Sequence, residues 1–110
     1  MSSTGMTHDT FDVRMEERDG ALWILPEGDL DIASAPDFRD AATLAARSDA
    51  TDIVVDLRGL ELMDSTGLKE LVRLALGPEA ARVSVVPGND HVQQVLRISG
   101  LEAELRTRDA

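Results

Sequence analysis

The spacing of apolar and polar residues divides the chain into short strands and helices. Residues 10–17 alternate between the two kinds, which indicates a strand with one buried and one exposed face. Residues 21–26 form a denser apolar run around Trp23, and the Arg18-Asp19-Gly20 turn before them predicts a hairpin. The β-branched, nearly all-apolar run at residues 53–57 predicts a central strand, and residues 82–86 predict another short strand.

Three other segments carry apolar residues at helical spacing. The first follows Ser34, whose hydroxyl suits an N-cap. The second begins near Ser65 and ends at Gly77, where we expect glycine to take the left-handed closing conformation. The third ends at Gly100, so each predicted helix has a chemical reason for its boundary.

The order of elements is therefore β-β-α-β-α-β-α, with a weak last strand predicted at residues 104–107. Strands that alternate with helices favour parallel neighbours joined by right-handed crossovers, and the hairpin adds an antiparallel pair. We predict an α/β fold with a mixed four- to five-stranded sheet and three to four helices. A chain of 110 residues corresponds to one domain. We expect residues 1–9 to be a flexible tail and residues 10–110 to form the domain.

Composition narrows the range of functions. The chain has 21 Asp and Glu against 11 Lys and Arg, a net charge of −10. Nucleic acid and anionic membranes are not expected partners, because both are bound through basic groups. A partner with a basic patch would be steered towards the chain, although solubility explains the charge equally well.

Cysteine is absent and the two histidines, His8 and His91, lie far apart, so the sequence predicts no metal site and no cofactor. Residues 1–9 do not resemble a signal peptide. No apolar run approaches the roughly 20 residues that span a bilayer. The expected location is therefore cytoplasmic.

The candidate chemistry is concentrated in the segment Asp64-Ser65-Thr66-Gly67-Leu68. It follows an apolar strand, and binding sites gather at the carboxyl ends of strands in such sheets. A helix that starts there offers free N–H groups and a positive dipole end, which favour a phosphate on an accessible serine. A structural interpretation stays open beside this one, because Asp, Ser and Thr all suit N-caps and glycine eases close packing.

Three segments resemble motifs of STAS domains. Gly28-Asp29-Leu30-Asp31-Ile32-Ala33-Ser34-Ala35 resembles the family's opening G-E-L-D-x-x-[ST]-A. Residues 53–68 resemble its apolar strand and D-S-[ST]-G-L turn, and residues 95–101 resemble its V-L-x-x-[ST]-G-L helix end. The motifs occur in the family's order and together span residues 10–107, which implies a STAS-like single domain.

Within that family the chain looks most like the bacterial anti-sigma-factor antagonists, and this resemblance implies a partner switch. The unmodified protein would bind an anti-sigma factor that is a serine kinase of the GHKL type. Phosphorylation of Ser65, with Thr66 as a minor alternative, would release it, and a serine phosphatase of the PP2C type would reset it. The resemblance places the following residues at the partner-binding surface: Asp31, Asp64, Ser65, Thr66, Gly67, Leu68 and Lys69.

Structural alternatives stay open for several of these residues. Asp31 could be a loop or cap residue, and Asp64 a helix cap. Lys69 and Glu70 are also typical of a solvated helix face. The chain departs from the family pattern at Lys69, where a small residue is common, and at residues 77–82, which are short and lack a Gly-Gly pair.

The sequence also bears on three other classes of function. A STAS module without a phosphorylation switch, as in stressosomes or lipid-transport complexes, is the main alternative, and Ser65 argues against the lipid-transport branch. Catalysis is not expected, because His91 belongs to a different predicted helix and Asp56 lies in a buried strand pattern. A phosphoacceptor-aspartate receiver is not expected either, because the acidic cluster after the first strand is missing.

Overall fold

The strands and helices follow the predicted order, with one additional strand. The computed structural model describes residues 10–110, so the predicted tail at residues 1–9, with His8, lies outside the described residues. The elements are β1 Phe11–Arg18, β2 Ala21–Leu30, α1 Ala35–Arg47, β3 Asp52–Asp56, β4 Leu60–Met63, α2 Ser65–Ala75, β5 Val83–Val86 and α3 Asp90–Ile98. The predicted α/β fold, its mixed sheet and its opening hairpin are confirmed.

The long strand β2 organises the sheet. Its antiparallel partner β1 runs beside it without interruption from Phe11 opposite Gly28 to Arg18 opposite Ala21. On its other side, the first half of β2 pairs with β3 and its last residues pair with β4, both in parallel. β5 lies outside β3, so the order is β1-β2-β3-β5 with β4 beside the far end of β2.

The separate strand β4 was not predicted. A 3-10 turn, Leu57–Gly59, divides it from β3. The Asp56 side chain accepts a hydrogen bond from the Arg58 N–H at 3.0 Å, which stabilises the turn. Because Leu57 and Leu60 are both buried, the apolar pattern continues through the break and resembles one strand.

The core lies mainly between the sheet and the helices. Alternate strand residues such as Ile24, Ile53 and Val55 point to this side, where residues of all three helices cover them. A smaller cluster lies on the opposite face around Trp23 and Val54. Its cover includes the Arg18 guanidinium, which lies 4.3 Å from the centre of the Trp23 ring, and Arg108, which lies at 5.3 Å.

At two helix boundaries the observed chemistry differs from the prediction. The Ser34 hydroxyl does not cap α1. It donates to the Asp29 carbonyl oxygen at 2.7 Å and accepts from the Asp31 N–H at 2.9 Å, so it fastens the loop before the helix. Gly77 does not have a left-handed backbone, whereas Gly100 does, with φ 79°.

The weak strand predicted at residues 104–107 is reduced to a single parallel bridge between Val85 and Thr107. The Val85 N–H donates to the Arg106 carbonyl at 2.8 Å, and the Arg108 N–H donates to the Val85 carbonyl at 3.0 Å. Within residues 10–110, no helix is long and apolar enough to cross a membrane.

Candidate functional site

The two motif loops meet at the carboxyl ends of β2 and β4. Leu30, the last residue of β2, pairs with Met63, the last residue of β4. The Asp64 N–H extends this pairing by donating to the Leu30 carbonyl at 3.1 Å. β2 then continues through Asp31 into α1, whereas β4 leads directly into α2 at Ser65. The fold thus brings the first and second motifs side by side.

Gly67 makes this close approach possible. The residue is buried, and a Cβ atom built on it would lie 2.6 Å from both the carbonyl oxygen and the Cγ of Leu30. Atoms do not approach so closely without a shift of one partner, so a side chain here would separate α2 from β2. The absence of a side chain at Gly67 therefore allows the start of α2 to pack directly against the end of β2.

Both motif aspartates order their own loops. Asp64 has an extended backbone, and its Oδ1 accepts a hydrogen bond from the Gly67 N–H at 2.9 Å, the geometry of an N-cap. Asp31 Oδ1 accepts from the N–H groups of Ala33 at 3.0 Å and Ser34 at 3.1 Å. The structural interpretation of both residues is thus confirmed. Both residues are also partly exposed.

Ser65 is the first residue of α2, and its side chain is exposed. Within residues 10–110 its hydroxyl makes no hydrogen bond, and the N–H groups of Ser65 and Thr66 find no acceptor. Thr66 is only half-exposed. Of the two hydroxyls in the motif, that of Ser65 is the more accessible and is not needed to hold the local structure.

The first turn of α2 also places Lys69 and Leu68. Lys69 follows Ser65 by four residues, so both lie on the same side of the helix, and both are exposed. Leu68 is half-buried and packs against the main core. Sequence reasoning gave no role to Ile32, which lies just after Asp31 and is 73% exposed. Its signal was a large apolar residue in the short loop between Asp31 and Ser34.

Glu70 is not part of the exposed surface. Its side chain is 2% exposed and forms ion pairs with Arg39 of α1 at 2.6 Å and with Arg73 at 3.4 Å. The prediction of a solvated helix face is wrong for this residue, because α1 packs against that side of α2. The hydrogen bond from Arg39 lowers the pKa of Glu70 against the opposing effect of burial.

Asp56 has a structural role, as expected. Burial raises its pKa, but the side-chain and backbone hydrogen bonds from Arg58 outweigh this effect, and the resulting pKa is lowered. Two guanidinium contacts from Arg58, at 3.0 and 2.7 Å, hold the ionised carboxylate. In the part of the chain that the structure describes, no group of three His, Cys, Asp or Glu side chains is arranged to hold a metal ion.

The mixed sheet, with an ordered loop and an exposed helix start at its strand ends, defines a single α/β domain. The family model described as "Mlab, STAS domain" matches residues 13–107. The chain therefore belongs to the STAS domain family. No curated protein sequence matches it.

Solved structures of similar fold include anti-sigma factor antagonists. The structure of one from Mycobacterium paratuberculosis superposes with a TM-score of 0.83 at 21% identity, covering 94% of this chain and 90% of that one. The unphosphorylated form of the antagonist SpoIIAA gives 0.71 at 23% identity, covering 90% and 88%. The phosphorylated form of SpoIIAA, a Bacillus cell fate determinant, gives 0.66 at 23% identity, covering 90% and 91%. These likenesses show the fold that the chain shares with them.

Proposed function

We propose that this protein is a cytoplasmic anti-sigma-factor antagonist whose affinity for its partner is set by phosphorylation of Ser65. Unmodified, it binds an anti-sigma factor that is a GHKL-type serine kinase. Phosphorylation releases it, and a PP2C-type phosphatase restores binding. The observation that supports this most directly is an exposed Ser65 hydroxyl, free of hydrogen bonds within residues 10–110, at the first position of α2.

The surroundings of Ser65 suit a reversible phosphate. The phosphate adds a charge of about −1.5 to −2 at the start of a helix, where the dipole favours it. The free N–H groups of Ser65 and Thr66 can donate to its oxygens. The fold therefore tolerates the modification, and its effect falls on whatever surface covers Ser65 in a complex.

Release follows from the charge beside the acceptor. The carboxylate of Asp64 is fixed by its hydrogen bond to Gly67, and Asp31 lies in the adjoining loop. A partner that fits this acidic surface must accept further negative charge and a bulky group after phosphorylation. A loss of about 1.4 kcal/mol in binding energy already lowers affinity tenfold.

Among the residues assigned to the partner surface, we propose that Asp31, Asp64, Ser65, Thr66 and Lys69 make the contacts. Gly67 is buried against Leu30 and Leu68 packs on the core, so these two hold the surface in place. Ser65 is preferred to Thr66 as the acceptor because it is the more exposed of the two.

A second candidate is a STAS interaction module that binds its partner without a switch. The ordered loops of Asp31 and Asp64 would serve such a module equally well, since they form without any modification.

The test pairs the protein with the GHKL-type anti-sigma kinases of the same genome, in the presence of ATP. We expect phosphate on Ser65 in the wild type and in the control Thr66→Ala, but none on Ser65→Ala. Titration should show that Ser65→Ala keeps binding the kinase in ATP, whereas the phosphorylated wild type binds at least tenfold more weakly. Robust phosphorylation of Ser65→Ala would refute the site. Equal affinity of the phosphorylated and unphosphorylated forms would favour the module without a switch.

A further inference from the structure

The outer edge of β1 is a long, regular strand edge. β1 is the terminal strand of the sheet, and among the described residues its only strand partner is β2. Proteins commonly protect such an edge with charged side chains, a proline, a bulge or a short strand, because its free N–H and C=O groups can pair with another chain. β1 has eight residues, contains no proline and keeps an unbroken register with β2.

On one face of β1, residues at equal distances before and after Met15 carry opposite charges. Successive strand residues point to opposite faces, so Asp12, Arg14, Glu16 and Arg18 share the face that carries Trp23. The order along this face is negative, positive, negative, positive. The side chains of Arg14, Glu16 and Arg18 are 53%, 40% and 42% exposed.

A second copy of the chain matches the charges of this edge best in one antiparallel register. A two-fold axis perpendicular to the sheet brings residues of the same face opposite each other. With Met15 opposite its own copy, Arg14 of each chain faces Glu16 of the other, and Asp12 faces Arg18. Moving the axis by one residue in either direction places Arg14 opposite Arg14 or Glu16 opposite Glu16. Moving the axis by two residues, to Val13 or Glu17, leaves two opposite-charge pairs in place of four. Opposite charges stabilise a cross-strand pair and like charges destabilise it, so the sequence favours the register about Met15.

We propose that this edge is a self-association surface, through which two copies pair antiparallel along β1 into one continuous sheet. The present ion pairs of Arg14 and Arg18 with Glu16, both at 3.0 Å, join exposed groups and are exchanged at little cost. On the other face, the half-buried Met15 meets its own copy, and the half-buried Val13 faces the exposed Glu17 of the other chain. This inference is independent of the role of Ser65, which lies beyond the carboxyl end of β4.

The pairing of one strand buries little surface compared with typical protein interfaces, so we expect weak association that is seen only at high protein concentration. Its charge pairs are exposed, so it also weakens as salt rises. Sedimentation of the full chain at low salt should therefore show a monomer–dimer equilibrium within concentrations up to about 1 mM, the range of weak complexes. A wild type that stays monomeric throughout this range overturns the proposal.

Charge exchange tests the register. Arg14→Glu and Glu16→Arg each place like charges opposite each other in their own dimers, so each alone should raise the dimer Kd at least tenfold. An equimolar mixture restores opposite charges at every pair, so it should associate again. Arg47→Glu, at the exposed end of α1, is the matched control and should leave the dimer Kd unchanged. A mixture that stays monomeric, or an equal effect of Arg47→Glu, refutes the register.

A cysteine pair gives a second test that does not depend on charge. The chain contains no cysteine, so Met15→Cys introduces a single thiol. Residues directly opposite across antiparallel strands have Cα atoms about 4.5–5.5 Å apart, within the range of a disulfide. Mild oxidation should give a covalent dimer.

The matched control is Val13→Cys, whose thiols would be displaced by four residues, about 14 Å along the strand. It should cross-link at least tenfold more slowly than Met15→Cys. Equal cross-linking of the two variants, or none for Met15→Cys under the same oxidation, refutes the pairing about Met15.

Discussion

The contact between Gly67 and Leu30 leads to a quantitative prediction for Gly67→Ala. The new methyl carbon would lie 2.6 Å from both the carbonyl oxygen and the Cγ of Leu30. The leucine side chain can rotate away, but the carbonyl is held by its hydrogen bond from the Asp64 N–H at 3.1 Å. The start of α2 must therefore move away from the end of β2.

Two effects set the size of the change. Alanine favours a helix interior over glycine by about 0.8–1.0 kcal/mol, and less at the first turn. Overpacking costs about 1–3 kcal/mol, and a clash with backbone belongs to the upper half of that range. The net expectation for Gly67→Ala is a loss of about 1–2 kcal/mol in the free energy of unfolding. In a domain of this size each kcal/mol lowers Tm by about 4–8 °C.

Urea and thermal unfolding followed by circular dichroism measure this change. Ser65→Ala is the matched control, since it alters an exposed side chain two residues earlier and should stay within about 0.5 kcal/mol of the wild type. If Gly67→Ala is as stable as the wild type or more stable, the close approach of α2 to β2 is refuted.

Two further substitutions test the supports of α2. Asp64→Ala removes the oxygen that accepts the hydrogen bond from the Gly67 N–H, so it should lower the free energy of unfolding by about 0.5–2 kcal/mol. Asp64→Asn keeps an acceptor and should lose less. Equal stability of Asp64→Ala and the wild type would contradict the cap. Glu70→Gln should lower the free energy of unfolding by about 1 kcal/mol at pH 7, because it removes the charge that accepts the hydrogen bond from Arg39, and solvent screens this pair since Arg39 is 52% exposed. The pKa of Glu70 is lowered in the folded state, so the stabilisation by its charge is fully present above the unfolded-state pKa of about 4.3. This stabilisation is lost as the pH falls through the lower folded-state pKa. Urea titrations should therefore show the gap in stability between wild type and Glu70→Gln narrowing from pH 7 to pH 3. A gap that stays constant over this range would contradict the buried ion pair.

Features that depend on neighbours in sequence were predicted well. Alternation in residues 10–17 and the turn at Gly20 identified the hairpin, since both follow from local geometry. The start of α2 at Ser65 and the end of α3 before Gly100 followed from capping chemistry. The position of the candidate site at a strand end then followed from the order of the elements.

Features that depend on distant partners were missed. Glu70 looked like a surface residue because its partner Arg39 belongs to another helix. Ser34 looked like a cap, but its hydroxyl is used by the carbonyl of Asp29. Close packing at Gly67 was one of the interpretations from sequence, but its partner, Leu30 at the end of β2, could not be identified from local sequence.

Trp23, on the face of the sheet that Arg18 and Arg108 cover, gives the protein an intrinsic fluorescence probe. Trp23 is the single tryptophan, and the guanidinium groups of Arg18 and Arg108 lie over its ring. It is opposite Glu16 of β1, yet it precedes Leu30 by seven residues, about 23 Å along the strand. Intrinsic fluorescence should therefore change when two copies meet at β1 and remain nearly constant when a ligand covers Ser65. One emission spectrum can thus separate the two kinds of encounter without any label.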